Sequence, residues 1–429
     1  MTGRHVATRR LRLPVAIGAV VLAAGAFALA THRAGASGTR DLAASGHTGR
    51  AGSAAARRSR PAAPTTTAPP PPLALVGASP APGAADVAPS APVVLRFSEP
   101  IAQGSPMPSV TPAIAGTWSG AGTSTLVFQP SARLTPYEQL SVTVPAGSGG
   151  VLDTAGSSLP QPVSDEFTVA GASTLRLQQL LAELGYLPVA FDLAGSTSSS
   201  SAALASEGTT PSTVSLAPEQ GQFVWRFSNI PAQLAAAWQP GTWNTVTEGA
   251  VMAFEAAHGL AVDGEPGPLV WGALLQAVAD RDVTTAPYDE ILVTETEPET
   301  LYVWRDGTVI DQSLANTGVP GGATPLGTWP VYLRYASTTM TGTNPNGTHY
   351  SDPGVPDVAY FNGSDAVHGF PRASYGFPQS DGCVELPIVN AAVVYGTDPD
   401  GTLVTVTTGN LAAELGVSAP ASATSTAVG

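Results

Sequence analysis

The hydrophobic period of this chain changes twice, and those two changes limit what it can fold into. From Leu73 to about Ala170 apolar residues alternate with polar ones in short runs. "VVLRF" sets Val93, Leu95 and Phe97 on one face, "LSVTV" does so for Leu140, Val142 and Val144, and "EFTV" follows. Turn residues part these runs, which predicts a small β-sandwich over residues 73–170. From Ser173 the period is helical: Leu177, Leu180, Leu181 and Leu184 fall at i, i+3, i+4 and i+7, and Gly185 can take a left-handed cap. A second helix is expected in "TVTEGAVMAFEAAHGL", with Thr245 and Glu248 at capping-box spacing, Val251 and Phe254 on one face, and Gly259 at its end. The third, "GPLVWGALLQAV", has Pro268 in its first turn and a stripe of Val270, Leu274 and Val278. These helices predict one small bundle over 172–282, interrupted by an insertion at 190–244 whose "GSTSSSSAALASEGTT" reads as flexible. From Tyr288 strands return. "TLYVWRDGTVIDQ" places Asp306 and Gly307 between two apolar runs, a two-residue hairpin signal. Further strands around "GTWPVYLRY", "DVAYF" and "GTLVTVT" predict a mostly β domain over 288–409, with 410–429 as a flexible tail.

The segments before residue 73 have another character. Arg4, Arg9, Arg10 and Arg12 precede an uncharged run from Leu13 to Ala30, so residues 1–35 are an export signal or membrane anchor, and we expect the anchor to stay uncleaved. No cysteine follows the run, which excludes a lipid-attached start. Residues 36–72, ending "APTTTAPPPP", offer little to bury and read as a disordered tether. Residues 1–60 hold ten Arg and one acid, a net of +9, whereas residues 61–429 hold eight Arg and 31 acids, a net of −23. An exported part so acidic has no basic footprint for nucleic acid or for an anionic membrane surface.

The chain has one cysteine, Cys383. It can make no internal disulfide, and an exposed thiol outside the cell invites oxidation, so either it is an inert small hydrophobe in a core or it has a chemical task. A nucleophilic cysteine reacts as the thiolate, and at an unperturbed pKa near 8.5 only about 3% of it is ionised at pH 7. It needs a base. Of the six histidines, His5, His32 and His47 lie beside the export signal or in the tether, leaving His258, His349 and His368, all before the cysteine. That order rules out a papain-like peptidase, and the lack of any Arg after Arg372 rules out a sortase-like site. His258 falls in the helical region, and His349 in "NGTHYSDPG" reads as a loop residue. His368 lies fifteen residues before Cys383, and the intervening "PRASYGFPQSDG" is rich in turn formers able to bring imidazole and thiol together. Gly382 lets the chain turn tightly and present backbone N–H groups as an oxyanion hole.

Three resemblances attach to these patterns. "SPAPGAADVAPSAPVVLRFSEPI" resembles the start of a bacterial Ig-like domain, which implies a spacer or adhesion role. "TEGAVMAFEAAHGLAVDGEPGPLVWGALL" is similar to the peptidoglycan-binding domain family, whose members hold enzymes against cell-wall polymer; the insertion at 190–244 departs from the compact form and can cover the binding surface. "VHGF" followed by "SDGCVELP", with "NTGVPGGATPLGTW" upstream, resembles the L,D-transpeptidase catalytic domain (YkuD type) from about Tyr288 to Gly409. That resemblance implies a cysteine acylated by a peptidoglycan tetrapeptide stem, loss of the terminal D-alanine, and transfer to a side-chain amine of a second stem. It implies Cys383 as nucleophile, His368 as base, Gly369 supplying the carbonyl that orients the imidazole, and Ser380, Gly382 and the Cys383 N–H shaping the turn and the oxyanion hole.

Asp381 stands where that family commonly has His, and Glu385 where Asn or Arg is frequent. Asp381 is therefore expected to accept backbone hydrogen bonds or to face the substrate amine. Arg372, the sole cation between His368 and Cys383, can anchor a stem carboxylate bidentately or lie on the surface against Tyr375. Tyr350, Tyr360, Phe361 and Trp329 belong to the cleft wall or the core. No cofactor is called for, and no HExxH pair or cysteine–histidine cluster suggests a metal. The expected partner is peptidoglycan, as donor and acceptor stems. An L,D-carboxypeptidase, in which water resolves the same thioacyl, and a non-catalytic wall-binding scaffold are the alternatives.

Overall fold

The computed structural model describes residues 71–195, 209–418 and 420. The expected export segment, all but the end of the tether, and most of the serine-rich run at 195–210 lie outside the described residues, within which no helix is long and apolar enough to cross a membrane.

Eight strands open the described chain: β1 (Leu75–Ser79), β2 (Ala84–Val87), β3 (Val93–Phe97), β4 (Ser109–Thr111), β5 (Gly116–Ser119), β6 (Thr125–Pro130), β7 (Gln139–Val144) and β8 (Val163–Val169). They form two four-stranded sheets in the orders β1-β3-β6-β5 and β2-β8-β7-β4. Alternation along β3 and β7 sends Leu95 and Leu140 inward, where both are fully buried, so the inner faces of the two sheets share one core. This is the expected Ig-like sandwich. The hydroxyl of Tyr137 donates to the Ala172 carbonyl at 3.1 Å and Arg133 to that of Pro211, tying it to the next region.

That region holds α1 (Thr174–Glu183), β9 (Val189–Leu193), β10 (Gly221–Trp225), α2 (Ala232–Ala237), α3 (Thr245–Ala257) and α4 (Pro268–Asp280). Gly185 and Gly259 take the expected positive φ after α1 and α3, and Pro268 opens α4. Two expectations change. The cap of α3 is Asn244, in extended conformation, with its side-chain oxygen accepting the Thr247 N–H at 3.0 Å; Thr245 is already helical and makes no capping box with Glu248. The insertion is not featureless either, because β9 and β10 pair as an antiparallel ribbon and α2 buries Leu234 beside α3. Its serine-rich run hid the apolar residues on either side.

The C-terminal domain contains β11 (Asp289–Thr294), β12 (Thr300–Arg305), β13 (Thr308–Leu314), β14 (Gly327–Pro330), β15 (Leu333–Thr343), β16 (His349–Asn362), β17 (Asp365–Gly369), β18 (Val384–Leu386), α5 (Ile388–Tyr395), β19 (Leu403–Thr407) and α6 (Leu411–Leu415). Asp306 and Gly307 join β12 to β13 with φ of 48° and 94°, the left-handed pair that this turn demands. Sheet order is β13-β12-β11-β19-β14 in one layer and β15-β16-β17-β18 in the other. Ile291, Val293, Leu301, Val303, Val404 and Val406 from the first meet Ala359, Phe361, Val367, Val384 and Leu386 from the second, together with Ala391 and Val394 of α5.

The opposite face of the five-stranded sheet is buried as well. Leu292, Tyr302, Trp304 and Leu403 pack into the core that also contains Leu180, Phe254, Trp271 and Leu274 of the helices. The helical region and the C-terminal domain therefore share a core, which explains why β11 is buried at every position rather than alternating. The expected flexible tail is corrected at its start: Asn410 caps α6, Leu411 is fully buried in that shared core, and Glu414 accepts the Ala232 N–H at 2.7 Å.

Candidate active site

Register builds the site. Strands β17 and β18 run parallel with Val367 opposite Val384, His368 opposite Glu385 and Gly369 opposite Leu386. Side chains alternate between faces, so Val367, Val384 and Leu386 enter the inter-sheet core while His368 and Glu385 point the other way. Cys383, two residues before Glu385, falls on the same outer face and packs with Ala366, Tyr360 and Met340 under the long β15–β16 hairpin. Thiol, imidazole and the Glu385 carboxylate thus meet at one cavity of about 300 Å³, which Tyr350, Asp352, Phe370, Arg372, Ser380 and Asp381 also line.

The turn before the cysteine is laced to the strand-like segment after β13. The N–H groups of Gln379 and Ser380 donate to the Thr317 carbonyl at 2.9 and 3.0 Å, and Asn316 and Glu385 exchange both backbone bonds at 2.9 Å. Thr317 is held in turn by the buried Glu299, whose carboxylate accepts its N–H at 2.6 Å and its hydroxyl at 2.7 Å. The Ser380 hydroxyl donates to the Cys383 carbonyl at 2.5 Å. Gly382 has φ of 110°, and a Cβ there would lie 2.5 Å from Asp365 Oδ1, so only glycine allows this turn. Among the described residues the N–H groups of Asp381 and Gly382 find no acceptor.

His368 is buried, and its Nδ1 lies 3.2 Å from the Gly369 carbonyl, the contact the resemblance implies. Nδ1 then carries the proton and Nε2 is a free base. Burial lowers its pKa, opposed by that carbonyl and by Glu385. Cys383 is half-buried, and burial pushes its thiol up to about 12, with Asp365, Glu385 and Asp381 adding to the rise and the Ala366 backbone N–H opposing it. The resting pair is neutral imidazole and thiol. No direct hydrogen bond joins the two among the described residues: Sγ donates to the carbonyl of Ser364, just before β17, at 3.8 Å.

Arg372 also departs from expectation. Its Nε and one terminal nitrogen each donate to a Glu385 oxygen at 2.7 Å, and its terminal nitrogen reaches the Gln379 carbonyl at 3.2 Å. The bidentate edge expected to hold a substrate carboxylate is filled by the chain's own carboxylate, while the guanidinium sits 4.7 Å over the Phe370 ring. Asp381 accepts no hydrogen bond among the described residues, so that half of its expectation fails; it borders the cavity, where its charge adds to the rise of the Cys383 thiol. Tyr350 lines the cavity and Tyr360 packs beside Cys383, whereas Phe361 and Trp329 belong to the core, 6.0 Å apart. His258 stacks on Phe254 at 3.9 Å, and His349 bonds Thr343 at 2.9 Å near the end of the hairpin; neither reaches the site. Two contributors escaped the sequence reading. Asp365 beside Gly382 carries no motif, and Glu385 shows only as an unusual residue at its position.

Comparison with known proteins agrees with this layout. Residues 69–169 match the family of bacterial Ig-like domains, residues 233–274 that of putative peptidoglycan binding domains, and residues 289–406 that of L,D-transpeptidase catalytic domains. No curated protein matches the chain. Similar solved structures include an L,D-transpeptidase from Mycobacterium smegmatis (15% identity, 78% of this chain and 99% of that one, TM-score 0.25). L,D-transpeptidase 3 from Mycobacterium tuberculosis is 14% identical over 78% of this chain and 98% of that one, with a TM-score of 0.26. The catalytic domain of the E. faecium L,D-transpeptidase is 25% identical over 29% of this chain and 99% of that one, also with a TM-score of 0.26. At these TM-scores the superpositions support no structural inference. The family matches stand apart from them: residues 289–406 match the L,D-transpeptidase catalytic-domain family, behind a segment that matches putative peptidoglycan binding domains and one that matches bacterial Ig-like domains.

Proposed function

We propose that this chain is an L,D-transpeptidase that joins peptidoglycan stem peptides through a thioacyl intermediate on Cys383, working outside the cytoplasm with residues 13–30 as its membrane anchor. One observation carries the reading: the only thiol and a buried imidazole oriented by the Gly369 carbonyl face the same solvent-open cavity.

Neutral His368 takes the thiol proton at Nε2 as sulfur attacks the stem carbonyl, and the N–H groups of Gly382 and Cys383 receive the oxyanion. Collapse breaks the peptide bond, and the imidazolium returns the proton to the departing D-alanine amine. An acceptor amine then attacks the thioester, giving its proton to His368, and the thiolate leaves and is reprotonated. Because burial holds the thiol protonated, attack waits for a substrate that brings its carbonyl to the sulfur. Asp352 and Asp381 make the cleft wall negative, which suits a cationic amine acceptor, and Arg372 acts through Glu385 as a positioning residue rather than on the substrate.

Carbapenems acylate the cysteine of this family, so intact-protein mass after carbapenem treatment tests the reading. A single adduct is expected on the wild type, none on Cys383→Ala, and a much slower one on His368→Ala. Incubation with tetrapeptide stems should then give dimers. Tripeptides alone would show a carboxypeptidase, and no adduct on the wild type would leave a wall-binding scaffold.

A further inference from the structure

The insertion that interrupts the helical region builds a second cleft, of about 560 Å³, far in sequence from Cys383. Phe191 of β9 lies opposite Phe223 of β10 with ring centroids 5.0 Å apart, and Phe223 meets Trp238 edge-on at 5.2 Å, so three rings form a continuous aromatic wall. Trp225, two residues along β10, extends it. All four rings are half-buried. Among the described residues the indole N–H groups of Trp225 and Trp238 find no hydrogen-bond partner, and neither is shut away from solvent. The side chains of Gln220 and Gln222, also at the cleft and exposed, make no hydrogen bond among the described residues. The one ionisable group in the lining, Glu219, has an oxygen 3.1 Å from the buried Arg176 guanidinium, which neutralises it locally.

Apolar ring faces bordered by free amide and indole groups, with no unpaired charge, suit a neutral ligand that is apolar on its faces and hydroxylated at its edge. That is the chemistry of a pyranose. An anionic ligand has no cation to meet, and a purely apolar peptide would strand the amides and indole donors. Trp238 and Pro240 of the lining lie within the segment, 233–274, that matches the peptidoglycan-binding family. We propose that this aromatic cleft, made chiefly by the insertion, binds the neutral N-acetylated glycan strand of the wall polymer, with the glutamine amides pairing the acetamido groups. The insertion thus adds a sugar subsite.

The test is isothermal titration of the full chain with chitohexaose, a defined N-acetylglucosamine oligomer that carries no stem peptide. Saturable binding is expected, weakened about tenfold by Trp225→Ala and about fivefold or more by the double variant Gln220→Ala/Gln222→Ala, whose two exposed side chains hold nothing in the fold. Equal rates of carbapenem acylation at Cys383 in all variants will show intact folding. Loss of acylation everywhere would remove the proposed catalytic reading and leave the glycan result standing. The proposal is overturned by absence of saturable binding, or by binding indifferent to both variants. It is likewise overturned by binding that appears only after deletion of residues 197–207, which would give the cleft to the chain's own segment, or by preference for a Leu/Phe-rich peptide over chitohexaose.

Discussion

Cys383 and His368 face one cavity from the outer side of two short parallel strands, and burial with three carboxylates outweighs the Ala366 N–H in favouring the protonated sulfur. Alkylation by iodoacetamide should therefore rise steeply only in strongly alkaline solution, since burial has lifted the thiol to about 12. Asp381→Asn removes one of three carboxylates that raise it and should lower the apparent alkylation pKa by less than burial has raised it; an unchanged profile would place that carboxylate out of reach. Arg372→Gln leaves the buried Glu385 without its fork and should cost about 2 kcal/mol, discounted for the partial exposure of the arginine, read as a fall in Tm. On the proposed function, KM for stem peptide should move less than kcat, because the bidentate edge of the guanidinium is already taken by Glu385. The thiol, the imidazole and Gly382 were legible from residue type and chain order alone. The Arg372–Glu385 pair was not, because thirteen residues and a parallel register separate its members. Asp365 was equally hidden, since its nearness to the sulfur follows from a tight turn rather than from any local pattern.

At the level of elements, strong local signals survived and weak ones were overruled by packing. The Asp306–Gly307 hairpin, the capping glycines and the strands of the sandwich formed where periodicity placed them. Helices α5 and α6 were missed. The first lies in "PIVNAAVVY", whose β-branched residues give a weak helical signal, and exposes Val389 and Val393 while burying Ala391 and Val394. The second is too short to show a period at all, and tertiary contact forms it. Truncation after Gly409 should accordingly cost about 2–4 kcal/mol: it uncovers the shared core at Leu411 and removes the Glu414 carboxylate from the start of α2. Chemical denaturation of the truncated chain will check this, and an unchanged midpoint would show the segment to be dispensable.

Across the whole molecule, the helical region and the catalytic domain behave as one folding unit. A catalytic domain expressed alone from Tyr288 to Gly409 would expose Leu292, Tyr302, Trp304 and Leu403 together, and is expected to aggregate or to fold only with polar replacements there. The same buried boundary holds Glu290, fully inaccessible, with one oxygen accepting the Thr405 hydroxyl at 2.8 Å and the other unpartnered. Burial raises its pKa from 4.5 to about 8. Since the folded carboxyl holds its proton more tightly than the unfolded one, its contribution is complete below about 4.5 and is lost as pH rises through about 8. Glu290→Gln should therefore raise Tm at pH 8.5 and leave it nearly unchanged at pH 4; the reverse pattern would show the site to be hydrated.

The common interior also determines reach. Helix α3 comes so close to the loop before β19 that a Cβ at Gly249 would stand 2.5 Å from the Gly401 carbonyl oxygen, so the two backbones pack directly against each other there. On the proposed function, a polymer held by the helices would travel with the thiol at a set offset, so the span between anchorage and bond formation would act as a ruler, selecting targets by their spacing along the polymer as well as by their chemistry.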